Sequence, residues 1–379
     1  MVLVMLLIAS SLTGCLSFSN DDSDSEATSW NMERGNKRRN GRSPYEVDLS
    51  DPEIRWNNTI DGFPKSHPVI DKEGNIYVTT RDGKLYSFYP NGTHKWNLTL
   101  GGDITTSAAI NSSGTLFVGS HDGRMYAVRQ NGTIEWDYQT NQSISSAPVI
   151  DDNIIYFGSR NSYFYAIDMN GELRWKFKTE DYIFTNSAIG PEDNVYLVSN
   201  HTLYSLNSDG ELNWKHEAKG FGPVISEDGT IYVFGMKTYA FQNDGTIIWS
   251  HNVSYYIDED TELLHPPSIG PDGTLYTTAG ITDQLLALKP NGELKWKTSK
   301  KDGISSYPPV VDKDGTVIVG SYDGTGSSLL AINSQGIIEW SVPIDVKILT
   351  GFAIGENGEI YTTGGYPYTE DYIFAVGDE

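Results

Sequence analysis

The chain has a single cysteine among 379 residues. No disulfide can form within it, and a zinc or iron–sulfur site built on several cysteines is excluded. Positive charge is scarce too. The chain has 27 Lys and Arg against 50 Asp and Glu, for a net charge of −23. A surface of that sign repels phosphate backbones, which sets nucleic acid aside as a partner. Its one apolar run at the start, Met1 to Leu12, is too short to span a bilayer comfortably. The seven histidines (67, 94, 121, 201, 216, 251 and 265) show no paired ligand spacing, so no zinc site is expected. With 38% apolar and 20% charged residues, the chain is neither a disordered polymer nor a multi-span membrane protein. What it has in quantity is glycine, 38 residues, and tyrosine, 23, which suits many short strands joined by tight turns.

The apolar start ends in Leu12-Thr13-Gly14-Cys15 and then turns polar at once, from Ser17 through Asp21, Asp22, Asp24 and Glu26. A small residue before the cut and a cysteine directly after it are what lipid attachment to an exported protein needs. The lone cysteine sits at that position, so Cys15 is read as the lipidation site. No Lys or Arg precedes the run, where a signal segment usually carries one. The expected division is residues 1–14 as lipoprotein signal peptide, 15–50 as a lipid-anchored flexible linker, and 51–379 as the body. Residues 16–50 carry few apolar side chains and are expected to form no core. As a flexible tether of that length they would span ~33 Å. The basic cluster Arg34, Lys37, Arg38, Arg39 and Arg42 is read as part of this solvated linker.

The body repeats. Tryptophans fall at Trp56, Trp96, Trp136, Trp175, Trp214, Trp249, Trp296 and Trp340, with gaps of 40, 40, 39, 39, 35, 47 and 44 residues. Such a period marks a repeat architecture. Ser66-His67-Pro68-Val69-Ile70 returns as Ser146-Ala147-Pro148-Val149-Ile150 and as Ser306-Tyr307-Pro308-Pro309-Val310. Second strands follow, such as Ile76-Tyr77-Val78 and Leu116-Phe117-Val118. Third strands read Leu85-Tyr86-Ser87-Phe88 and Met125-Tyr126-Ala127-Val128. An Asn-Gly or Asp-Gly hairpin turn then leads to the strand that carries the tryptophan (Asn91-Gly92, Asn131-Gly132, Asn170-Gly171, Asp209-Gly210, Asp244-Gly245, Asn291-Gly292). Four short antiparallel strands per unit describe a propeller blade. After Trp340 an eighth unit begins and stops one strand short. Glu53-Ile54-Arg55-Trp56 closely matches Glu172-Leu173-Arg174-Trp175. The fold class is therefore all-β, an eight-bladed propeller whose last blade is closed by the N-terminal strand, with no open sheet edge left at the seam. Truncation near residue 57 should damage it far more than truncation near residue 45.

The stretches Ala127 to Trp136 and Ala166 to Trp175, with Asn131-Gly132 and Asp168 within them, resemble the tryptophan-docking repeat of the pyrroloquinoline-quinone (PQQ) dehydrogenase family. The resemblance covers about residues 51–379. The turn is one residue shorter than in the quinone enzymes, and Gly rather than Thr follows Asn or Asp. With eight blades and a lipobox, the chain looks most like the BamB-like exported lipoproteins, which lack the cofactor. Trp136-Asp137 is the only Trp-Asp pair at a blade end, so WD-type repeats fit poorly.

A quinone enzyme of this family would need a calcium site beneath the cofactor and usually a vicinal disulfide. One cysteine rules out the disulfide. No cofactor, no metal and no enzymatic activity are expected. The repeat tryptophans are read as packing between blades. Asp312-Lys313-Asp314-Gly315 lacks the third acidic position and distal glutamate of a calcium loop. Ser120-His121-Asp122 are adjacent and cannot align as a catalytic relay. Asn-x-Ser/Thr sequons stand at Asn57, Asn91, Asn97, Asn111, Asn131, Asn141, Asn200 and Asn252, where an exported chain can be glycosylated.

Within a blade, the A–B and C–D turns share one end of the propeller. The B–C and D–A loops share the other, and length variation concentrates there. Loops on a rigid scaffold are where binding resides. The candidate partner-binding residues are Tyr255, Tyr256, Asp258, Tyr322, Asp323, Tyr366 and Tyr368, expected as one patch over blades six to eight, with Tyr182 and Phe184 further round the same face. The expectation is a monomeric, lipid-anchored protein at the extracytoplasmic face of a membrane. Its partner would be an envelope protein or a surface glycan.

Overall fold

The computed structural model describes residues 29–252, 256, 264–279, 282–305, 307–324, 326–365 and 370–378. They form eight antiparallel sheets in ring order, each built strand next to strand. Blade 1 shows the pattern. Its strands are A (Val69–Ile70), B (Ile76–Thr79), C (Lys84–Phe88) and D (His94–Thr99). The inner strands are short and buried on both faces, while the outer strands alternate, as in His94–Thr99. That gradient follows from position. Strands B and C lie between neighbouring blades, whereas D meets solvent on one side.

The ring closes as expected. Strand Glu53–Ile60 pairs antiparallel with Asp371–Gly377, from Glu53 opposite Gly377 to Ile60 opposite Asp371. Blade 8 thus joins the two ends of the body. In blade 7 the inner strand is Val310–Val311, with Val311 opposite Val317. The repeat there is registered one residue later than Pro308 alone suggests, because Asp312 of the A–B turn sets the phase rather than the double proline.

Seven of the eight blades are locked to the next by their tryptophan. The indole Nε1 of Trp96 donates to the Gln130 carbonyl at 2.7 Å, in the C–D turn of the following blade. The same bond recurs from Trp56, Trp136, Trp175, Trp214, Trp249 and Trp296. The turn glycine lies flat under the indole. Gly132 has φ +82°, and a Cβ there would stand 2.8 Å from Trp96. Asn-Gly therefore serves twice, once for the left-handed turn and once for the close approach. Trp340 faces blade 8, which has no C–D turn because the chain break falls there; it packs instead against the apolar cluster of blades 7, 8 and 1.

Residues 29–50, expected as part of a solvated linker, are built into the propeller. Trp30, Arg34 and Arg39 are at most 3% exposed, and Met32 and Val47 are 5% exposed. The segment curls through left-handed residues, Arg34 at φ 61°, Gly35 at 87°, Arg39 at 56° and Gly41 at 64°. It circles the propeller axis. The carbonyls of Trp30, Asn31, Lys37, Arg38, Asn40 and Gly41 accept from the amides of Ile70, Ile110, Ile189, Ile225, Ile269 and Val311, at 2.7 to 3.0 Å. These amides end strand A of blades 1, 2, 4, 5, 6 and 7. Strand A is the inner edge of every sheet, and its unpaired backbone groups need partners. A polar, arginine-rich segment meets that need, which is why its composition looks like that of a solvated linker.

Candidate functional site

The segment seals the axial channel at the A–B end. Its two buried arginines reach down the channel to the starts of the A strands. Arg39 donates Nε to the Ser187 carbonyl at 3.1 Å, Nη1 to the Glu33 carbonyl at 2.9 Å, and Nη2 to the Ala147 and Pro148 carbonyls at 3.0 and 2.8 Å. Arg34 donates to the carbonyls of Arg39, Pro266 and Pro267 and to Ser268 Oγ. Desolvation pulls Arg34 down to about 9 and Arg39 down to about 10, with Glu33 opposing in both cases. Both guanidinium groups stay charged at neutral pH and clamp blades 3, 4 and 6 together.

Beside them, toward the starts of the A strands, further polar side chains gather around Glu33. Half-buried Glu33 accepts from Asn186 Nδ2 at 2.7 Å, and Asn186 Oδ1 accepts from the Ala147 amide at 2.7 Å. His67 lies near Glu33 and both arginines, and His265 near Arg34. Burial lowers His67, with Glu33 opposing and the two arginines adding to the fall. Burial, with Arg34, brings His265 down to about 4. Both are neutral at pH 7. His265 stacks on Phe221 at 5.4 Å, and Tyr307 stands half-buried in the next blade. The site is a cluster of a carboxylate–amide pair and neutral imidazoles beside the two buried arginines.

Of the expected binding residues, Tyr182, Phe184, Tyr256, Tyr322 and Asp323 are among the described residues. Tyr182 and Phe184 are 45% and 42% exposed, with ring centroids 5.6 Å apart, at the loop end of blade 4. Tyr322, on blade 7, lies beneath Lys347, and its Oη donates to Gly324. Asp323 caps its own turn by accepting from the Gly326 amide. Tyr256 is displaced to the flank. Its carbonyl accepts from Lys297 Nζ at 2.6 Å, and its Oη donates to Gly292 at the opposite end of blade 6. Tyr255, Asp258, Tyr366, Tyr368 and Cys15 lie outside the described residues.

Other motifs resolve into turn chemistry. Asp312 Oδ1 accepts from the amides of Asp314, Gly315 and Thr316, and its Oδ2 from Val47. Asp122 bonds Tyr126 and its own turn, while His121 Nε2 lies by Thr105 and Ser145, so no relay forms. The axial segment went unread at the sequence level. Its one signal was Trp30, the single tryptophan of the nine that the repeat does not use.

A quinone with its metal asks for a donor set in the channel. Glu33 and Asn186 offer one carboxylate and one amide. Among the described residues no three of His, Cys, Asp and Glu converge to hold a metal ion. Trp30, Arg34 and Arg39 fill the channel above the pair. These residues do not fit that group.

The family model described as outer membrane protein assembly factor BamB matches residues 40–216 and 236–359. No curated protein matches the sequence. Among solved structures, the fold is similar to a quinohemoprotein alcohol dehydrogenase from Pseudomonas putida, at TM-score 0.73 and 13% identity, covering 93% of this chain and 81% of that one. A europium-containing methanol dehydrogenase gives 0.74 at 12% identity, covering 93% and 99%. BamB from Moraxella catarrhalis gives 0.64 at 14% identity, covering 86% and 100%. The expectation that the chain is no enzyme is corrected by these likenesses. Catalytic quinoproteins share the fold over almost the whole chain, so the architecture gives no ground for excluding catalysis. Lack of a disulfide removes one kind of quinone site, not enzymatic function. The family match extends over most of the sequence, from within the axial segment to the start of the last blade, and the protein accordingly belongs to the family of the outer membrane protein assembly factor BamB.

Proposed function

We propose that the chain is an envelope-associated propeller, anchored through a lipid on Cys15, that holds a partner protein at its B–C and D–A end. The observation that carries this reading is the asymmetry of the two ends. The chain's own residues 30–47 occupy the channel at the A–B end. The other end carries an exposed aromatic pair, Tyr182 and Phe184. Paired aromatics on a rigid rim give large contact area at little entropic cost. BamB is described as an outer membrane protein assembly factor, and the family match supports an envelope setting for this chain.

Crosslinking capture from native membranes with the tagged full-length protein tests the reading. Y182A/F184A should lose a stoichiometric protein partner while keeping wild-type thermal stability, since both side chains are exposed. A partner retained in full by the double variant would remove this face. Titration with pyrroloquinoline quinone tests the enzymatic alternative in parallel. Saturable quenching of tryptophan fluorescence with quinone-dependent alcohol oxidation would replace the adaptor reading.

A further inference from the structure

The eight sequons are not equivalent in the fold. Asn57 and Asn97 occupy the same repeat position, directly after the tryptophan, on the outer strands of adjacent blades 8 and 1. Their partners Thr59 and Thr99 lie two residues on. In an extended strand that spacing puts amide and hydroxyl on one face, and all four residues are exposed. Asparagine is a poor strand former, and other blades place Asp137, Lys176, Lys215 or Lys297 at this position. Asn91 and Asn131 are exposed at the C–D turns of blades 1 and 2. Asn91 Oδ1 accepts from the Thr93 amide at 3.0 Å. Asn131 Oδ1 accepts from the Thr133 amide and hydroxyl at 3.1 and 2.6 Å. Each brings its own hydroxyl residue alongside in a solvent-facing turn.

The remaining sequons differ. Asn111 is half-buried. Its Oδ1 accepts from Ser113 N, Ser113 Oγ and Thr115 N, and its Nδ2 lies 3.6 Å from Met169 Sδ. At Asn141 the serine partner is committed, because Ser143 Oγ donates to the His121 carbonyl at 2.9 Å. Asn141 and Asn200 are held at φ 68° and 54°. The serine partner of Asn252 lies outside the described residues.

We propose that Asn57, Asn97, Asn91 and Asn131 carry N-linked glycans and that Asn111 and Asn141 do not. In the modification, a bond forms between the asparagine Nδ2 and the anomeric carbon of a sugar. The bond from that carbon to the phosphate of an activated oligosaccharide donor breaks. The amide nitrogen gives up one proton, and the phosphate leaves with its oxygen. The donor and its transferase come from the host. This inference rests on the envelope placement proposed above and sharpens it. The four sites fall on one arc, blades 8, 1 and 2, and leave blade 4, with Tyr182 and Phe184, bare for a partner.

The test uses the protein isolated from its own cells, with intact mass and glycopeptide sequencing beside protease treatment of whole cells. Sugar mass at Asn57 and Asn97 is expected, lost one site at a time in N57Q and N97Q, with the Asn111 peptide unmodified. A chain that protease reaches on intact cells but that is bare at Asn57 and Asn97 overturns the assignment and leaves the placement standing. Modification at Asn111 with bare outer strands overturns the geometric sorting. A chain shielded from protease and unmodified overturns the placement and the glycans with it.

Discussion

At the residue scale the turn glycines carry two constraints that substitution separates. Gly132 holds φ +82° beneath Trp96, with 2.8 Å for a Cβ. Gly324 holds φ +93° with nothing within 4 Å. G132A should therefore cost backbone strain and a packing clash, about 3 kcal/mol together, while G324A should cost strain alone, about 1 kcal/mol. Urea unfolding of the two variants measures the difference, and equal losses would mean that the indole contact contributes nothing. Arg39 poses a different problem. R39M keeps much of the length but leaves the carbonyls of Ala147, Pro148 and Ser187 without their donor. A loss of about 3 kcal/mol or more is expected in the same assay.

At the element scale two segments close the ring, one at its seam and one along its axis. A chain starting at residue 29 should match the full chain in thermal stability. Starting at residue 51 removes six backbone bonds to the A strands, worth about 1 kcal/mol each, together with buried Trp30. Its midpoint in urea should fall clearly, though the ring stays closed. Starting at residue 61 strips the outer strand of blade 8, and no cooperative transition is expected. Truncation near residue 45, which looked benign from composition, removes most of the axial segment and should behave like the start at 51. Indistinguishable unfolding of the chains starting at 29 and at 51 would show that the axial segment adds no stability.

At the scale of the whole molecule, titration in the channel ties stability to pH. His265 is ordinarily half-protonated near 6.5 but is held at about 4 in the fold. Between those values the unfolded chain binds a proton that the folded one refuses, so stability falls as pH drops from about 6.5 to about 4. The loss reaches at most about 3 kcal/mol. Asp371 acts in the opposite sense. Burial raises it to about 6, so its penalty is relieved over part of the same range. Comparing H265N with the parent isolates the histidine, and the variant should have the flatter profile below pH 6.5. Identical profiles would mean that His265 is not desolvated in solution.

The repeat was legible in the chain because propeller blades are local. Each strand pairs with its sequence neighbour, each Asn-Gly turn is set by two residues, and each tryptophan needs only the next turn. Periodicity near 40 residues therefore determined the blade count, the closing strand and the place of the seam. The axial segment was not legible. Its partners are backbone groups on six blades spread across the sequence, and backbone groups leave no mark in composition. Arg34 and Arg39 read as linker charges until the ring exists to surround them. Tertiary structure likewise decided the candidate site. Glu33 meets Asn186 only because the segment winds inside the channel, and Tyr256 lies on the flank of blade 6, bonded to Lys297 and Gly292. Short-range pairing is written in the order of the residues, whereas the channel and what fills it appear only once the ring has closed.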